Sequence, residues 1–263
     1  MTRYNQLTAS ILAALLLWPS SLRAETLRLG YEVAWGNFTL AEAEVKYRED
    51  QTRYHLAGQG RTEGLLEWFF TWHGTAETEG LLEATGRRPL AHQSEGTWND
   101  STRSTRVAWP GKGPPTTETQ PPPDLELVTP VPKDATAGTS DPFTAVLQLL
   151  DSLAETGRCE AEAKVWDGRR RYDLAVAHIG PETLVPDRPW AYGGPAVACA
   201  LSHQRIGGFW RDSEAPEATR RVVWAAEIAP GRWALVRAEV DTSYGTVVAR
   251  LKPAPDVKAA LEN

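Results

Sequence analysis

Apolar and polar residues alternate along most of this chain with the two-residue period of β-strands. Leu27, Leu29, Tyr31, Val33 and Trp35 fall on one face, and Arg28, Gly30, Glu32 and Ala34 on the other. That pattern predicts a half-buried strand, and Gly36-Asn37 after it is a hairpin signal. The next strand opens with Phe38 and Leu40, then changes phase to Ala43, Val45 and Tyr47. A one-residue slip of this kind predicts a β-bulge. Glu49-Asp50-Gln51 turns the chain into a third strand around Tyr54 to Gly60, which completes a meander.

Residues 62–83 fit two periods. Leu65, Phe69 and Trp72 have helical spacing, whereas Trp68, Phe70 and Trp72 have strand spacing. We expect a brief helical turn followed by a strand running to Leu81. Residues 88–109 predict a hairpin turning near Asn99-Asp100. Farther on, Ala161, Ala163 and Val165 alternate with Glu160, Glu162 and Lys164. Asp167-Gly168 then signals a type I′ hairpin turn into Tyr172, Leu174 and Val176. Residues 180–195 read as a Gly/Pro-rich loop, followed by a strand through Val197 and Leu201. Three more strands are expected at 220–229, 232–241 and 245–252, punctuated by Pro230-Gly231 and Tyr244-Gly245. Residues 254–263 read as a fraying end or a short terminal helix.

One segment departs from this period. Phe143, Val146, Leu147, Leu150 and Leu153 form an apolar stripe at helical spacing. Asp141 is suited to the N-cap, Pro142 to the first helical position and Gly157 to the terminator, so an amphipathic helix is expected at about 141–156. About eleven strands and one helix predict a mainly β fold. We expect a large curved antiparallel sheet, closed as a barrel or rolled into a β-spiral, with the helix packed on it. Either form deals with exposed strand edges.

Pro110 to Pro142 holds nine of the 19 prolines and reads as extended linker, in which only Leu125 to Val131 offers an edge strand. The flanking halves are both mainly β. We therefore read this segment, about 110–140, as an insertion or crossover within a single β-rich domain over 25–263.

The first 24 residues differ from all of this. Arg3 precedes a short apolar run, Ile11 to Trp18, which Pro19-Ser20-Ser21 breaks before Leu22-Arg23-Ala24. That is the pattern of a cleaved secretory signal peptide, too short for the roughly 20 apolar residues of a membrane span. Its removal takes away Arg3 and Arg23 but no carboxylate, moving the net charge from −6 to −8. An acidic chain without a basic cluster argues against nucleic-acid partners and against a polybasic contact with anionic lipid. No later stretch predicts a transmembrane segment, and no cysteine follows the leader for lipid attachment. Cys159 and Cys199 are the only cysteines. In an exported chain the simplest expectation is one disulfide, closing a loop of about 41 residues and contributing roughly 4 kcal/mol on the chain-entropy model.

No nucleophile elbow, phosphate loop, dinucleotide fingerprint or His-Glu-x-x-His motif is present. His55, His73, His92, His178 and His203 are scattered among expected strands. We therefore assign no catalytic residue, metal ligand or cofactor. Asp167 and Gly168 are read as a structural turn, and Arg171 with Asp173 as a cross-strand ion pair. Trp68-Phe69-Phe70-Thr71-Trp72 puts apolar residues on both faces of a strand, more than one face can bury, which singles out Trp68, Phe70 and Trp72. Trp190 and Tyr192 stand in loop context inside the expected disulfide ring. These five are the candidate ligand or partner contacts.

Three stretches carry a family resemblance. They are Gly30-Tyr31-Glu32-Val33 through Gly36-Asn37-Phe38-Thr39-Leu40-Ala41-Glu42-Ala43, then Asp167-Gly168-Arg169-Arg170-Arg171-Tyr172-Asp173-Leu174 after Cys159, and Cys199 followed by Gly208-Phe209. Together they resemble the exported bacterial proteins grouped as domain-of-unknown-function family 3108. The resemblance implies an envelope-associated periplasmic β protein and brings no catalytic residues with it. More distantly, by architecture and disulfide logic, the chain is similar to spiral β-sheet proteins of cell-envelope integrity. The expected function is non-enzymatic: binding a lipid, a glycan or an envelope partner on the concave side of a curved sheet. The alternative is an envelope hydrolase in which His, Asp or Glu converge from separate strands in an unfamiliar pattern.

Overall fold

The computed structural model describes residues 26–111, 113–212 and 220–252. The leader read at 1–24 and the terminal segment 254–263 lie outside the described residues. β1 (Leu27–Trp35), β2 (Phe38–Glu49) and β3 (Arg53–Thr62) are the expected meander. A 3-10 turn at Gly64–Trp68 precedes β4 (Trp72–Glu83), which accounts for the mixed period there. β5 (Gly86–Trp98) and β6 (Ser101–Ala108) form the hairpin that turns at Asn99. β7 (Thr116–Gln120) follows, and then the helix α1 (Pro142–Thr156). The second half holds β8 (Ala161–Trp166), β9 (Arg171–Leu184) and β10 (Gly194–Gly207). It ends with β11 (Arg221–Ala229), β12 (Arg232–Thr242) and β13 (Gly245–Lys252).

Among the described residues all thirteen strands belong to one sheet in the order β7-β6-β5-β4-β3-β2-β1-β13-β12-β11-β10-β9-β8. Every neighbouring pair is antiparallel. Two meanders are thus joined where β1 meets β13. The phase slip in β2 is a bulge: Val33 pairs with Ala41 and Ala34 with Thr39, leaving Leu40 as the extra residue. It keeps Ala43, Val45 and Tyr47 on the face of Tyr31, Leu29 and Leu27.

The sheet curls around α1. The helix contacts β4 and β5 on one side and β8 and β12 on the other. β5 and β8 are ten positions apart in the strand order. At about 4.8 Å per strand a flat sheet would put them nearly 50 Å apart, several times the width of a helix. Only strong curvature brings both onto one helix.

Curvature carries the two edge strands together without a ladder between them. Trp166 at the end of β8 donates its indole N–H to Thr117 Oγ1 of β7 at 2.9 Å. Arg169 reaches from the β8–β9 turn to Thr105 Oγ1 and to the carbonyls of Ser104, Gln120 and Pro121 at 2.9–3.2 Å. The Pro-rich segment fills this seam. Ser140 forms a parallel bridge with Val165, donating to Lys164 O and accepting from Trp166 N. Val131 packs on the buried Val107, Trp109 and Trp166.

Four expectations change. The edge strand of the Pro-rich region is Thr116–Gln120, while Leu125 to Val131 contributes only a bridge between Val128 and Trp210. Its β-branched threonines pair with β6, and an exposed edge needs no apolar face. The loop expected at 180–195 shrinks to 185–193, because Val197 pairs with Pro181 and Gly194 with Leu184. The turn after β8 is shifted by one residue. Asp167 N–H donates to Arg170 O, which makes Gly168 and Arg169 central, and only Gly168 has a positive φ, 88°. Type I′ needs two such residues. Asp167 instead takes the N–H groups of Arg169 and Arg170 on Oδ1 at 2.8 and 2.6 Å. Finally, Arg171 and Asp173 pair along one strand at 2.6 Å and not across strands, since residues two apart share a face.

Candidate functional site

Helix α1 begins as its sequence dictates. Asp141 Oδ1 accepts from the N–H groups of Phe143 and Thr144, and Gly157 closes the helix with a φ of 68°. Its stripe meets the inner sheet face but does not fill it. Phe143, Val146, Leu147 and Leu150 border a cavity of about 280 Å³. Leu27, Leu29, Tyr31, Val45 and Leu56 line it from β1–β3, and Trp233 and Leu235 from β12. Tyr31 crosses to the far wall and donates its hydroxyl to Leu235 O at 3.0 Å. Burial pushes this phenol well above its ordinary value, so it stays protonated.

The lining becomes polar where β2 ends and β5 begins. Glu49, Arg87 and Asp151 stand there, with Arg232 from the start of β12. Arg87 donates through Nε and Nη2 to both Asp151 oxygens at 2.6 and 2.8 Å. Its Nη1 donates to Tyr47 Oη at 2.9 Å and to Glu49 Oε2 at 3.1 Å. The Tyr47 hydroxyl also bonds Glu49 Oε2. Burial by itself would lower the Arg87 guanidinium, but Asp151, Tyr47 and Glu49 more than offset it and hold it above its ordinary value. Burial likewise raises the Tyr47 phenol.

Both ends of α1 are anchored. At the N-terminus Thr78 Oγ1 donates to Asp141 Oδ1 at 2.7 Å, and Thr144 Oγ1 to Asp141 Oδ2 at 2.5 Å. Because Thr78 gives its proton to Asp141, His92 Nδ1, at 2.8 Å, acts as donor to Thr78. Tyr54 joins the network through Thr144 at 2.7 Å. All five side chains are buried. Past the C-terminus Cys159 is bonded to Cys199 of β10, with Cα atoms 6.0 Å apart and both residues fully buried.

The family model of proteins of unknown function designated DUF3108 matches residues 30–252. The chain belongs to this family. No curated protein matches it. Among solved structures, the β-barrel-like protein of domain of unknown function DUF1849 from Brucella abortus is similar over 87% of this chain and 95% of its own. Its identity is 10% and the TM-score 0.48.

In this DUF3108 chain none of the five aromatic candidates lines the cavity. Trp68 is 85% exposed at the end of the 3-10 turn, beside the equally exposed Phe69. Phe70 and Trp72 pack on Trp98 with ring centroids 5.7 and 5.9 Å apart. All lie at the strand ends opposite the polar rim of the cavity. Trp190 lies under Lys252 Nζ at 5.7 Å, and Tyr192 donates to Pro195 O at 2.7 Å. The cavity residues were missed because each looks like an ordinary strand or helix position. The one available signal was charge: Glu49, Arg87 and Asp151 flank apolar stripes.

The histidines spread over β3, β4, β5, β9 and β10. His55 Nε2 lies 2.5 Å from Glu77 Oε1 on the outer face. With Glu79 these are the described residues whose ligand atoms, within 4.8 Å of one another, offer a donor set for a metal ion. Among the described residues no helix is long and apolar enough to cross a membrane.

Proposed function

We propose that this protein is a periplasmic, non-enzymatic binder of an apolar chain, held between α1 and the inner face of the curled sheet. The cavity carries this reading. It is lined chiefly by aliphatic and aromatic side chains and has its polar groups gathered at one end, the usual composition of a small-ligand site. Its 280 Å³ lies just below the roughly 300–1,000 Å³ range of such sites, which suits one chain and not a two-tailed lipid. A glycan would need many more polar partners than this lining offers. The disulfide supports an oxidising compartment.

Native mass spectrometry of protein purified from periplasm, followed by lipid extraction, tests the proposal. We expect a bound single-chain species that is absent from Leu150→Trp, a substitution that puts a larger ring into the cavity. A wild-type protein that carries no ligand and takes up no alkyl-chain probe would overturn it.

A further inference from the structure

We propose that the cavity selects an amphiphile with a carboxylate head, and that Glu49 occupies the position of that head until the ligand displaces it. The inference rests on the cavity reading above and assigns its head-group chemistry.

The polar end of the cavity contains a carboxylate site that is already assembled. Arg87 Nη1 and the Tyr47 hydroxyl converge on a single oxygen, Glu49 Oε2. Neither donor depends on Glu49 for its place. The guanidinium is fixed by its two bonds to Asp151, and its side chain is only 10% exposed. Tyr47 is held in β2 opposite Leu56 and lies beneath the Arg87 guanidinium, which is 5.9 Å from the ring centroid. A fixed, largely desolvated arginine next to a phenol is a strong receptor for a carboxylate, because charge-assisted bonds are shorter and stronger than neutral ones.

Glu49 is the replaceable member. It is the last residue of β2, and its side chain is 42% exposed. The backbone pairing with Tyr54 holds the strand whichever way the carboxylate points. The Glu49 side chain already keeps 42% of its surface in water against 10% for Arg87, so outward rotation restores hydration that offsets part of the bonds it gives up. An incoming carboxylate restores the same bonds while its tail removes apolar surface from water. A water molecule takes up about 30 Å³ of liquid and a methylene is of similar size, so 280 Å³ accepts a tail of about nine carbons.

Calorimetric titration with decanoate and decyltrimethylammonium below their micelle concentrations, and with decanol below its solubility limit, tests this. Wild type should bind decanoate at least as tightly as decanol, and decyltrimethylammonium most weakly. Glu49→Ala should tighten decanoate about tenfold and leave decanol unchanged. Arg87→Gln should abolish the preference for decanoate. Because Arg87→Gln disturbs a buried pair, the gain in Glu49→Ala decides. If Glu49→Ala binds decanoate no better than wild type, or tightens decanol equally, the head-group inference is overturned while the cavity reading stands. If no amphiphile binds either form, both are overturned.

Discussion

Burial holds the His92 imidazole below its ordinary value of about 6.5, against the opposing charges of Asp141 and Asp167. A neutral buried imidazole binds fewer protons in the folded than in the unfolded state. Stability from this group is therefore complete above about pH 6.5 and is lost as the pH falls from there through the lowered folded value. Asp187, which its bond to Arg250 holds below the usual carboxylate value, loses its contribution only in the more acidic carboxylate range. The two windows are separable. Melting temperatures recorded from about pH 8 to about pH 2 should fall first below about pH 6.5. His92→Gln should shrink that first limb, to which the His203 imidazole, also lowered by burial, adds, and should leave the acidic limb in place. An unchanged limb in the variant would assign it elsewhere. Other single-residue features were visible without being interpretable. Gly80 looks like a flaw in β4, yet a Cβ there would stand 2.2 Å from the Tyr54 ring. Only the facing strand explains the glycine.

At the scale of elements, local chemistry specified most of the chain. The Asp141 cap, Pro142 and Gly157 bound α1 as expected, and the bulge at Leu40 followed from the phase of two apolar runs. Elements whose stability comes from neighbours were less legible. β7 has no apolar face, and the ends of β9 and β10 run through Gly and Pro, which read as loop until the pairing is known. The disulfide is an element-scale clamp. It ties the chain just beyond α1 to β10, over β9, and thereby fixes one wall of the cavity. The double variant Cys159→Ser/Cys199→Ser should keep its strand content and lose about 2–4 kcal/mol in urea unfolding. A loss below about 1 kcal/mol would show that packing alone holds the helix end.

Across the whole molecule the decisive feature is the seam. Thirteen strands curl far enough for β7 and β8 to meet, yet the contact is made by side chains and by the Pro-rich crossover. Arg169 spans this junction with four hydrogen bonds. Its replacement by alanine should cost about 2 kcal/mol, the range for bonds to a charged group. The loss should be local. Amide hydrogen exchange should quicken in Thr116–Gln120 and stay unchanged in β2 and β3. Uniform acceleration would mean that the seam is not a separate unit.

The sequence by itself determined most of the strands, the helix with its caps, the pair of cysteines and the mainly β class. Those properties follow from period, capping chemistry and inventory, each of which is local. Which aromatic and charged residues would share a site was not local. Trp68, Phe70 and Trp72 stand out in the chain because they are large and clustered, but they lie at the strand ends away from the cavity rim. Glu49, Arg87 and Asp151 are separated by up to 102 positions and come together only because the sheet wraps around α1. Curvature decided the site, and curvature arises from the summed twist of many strands, a property that no short stretch of sequence contains.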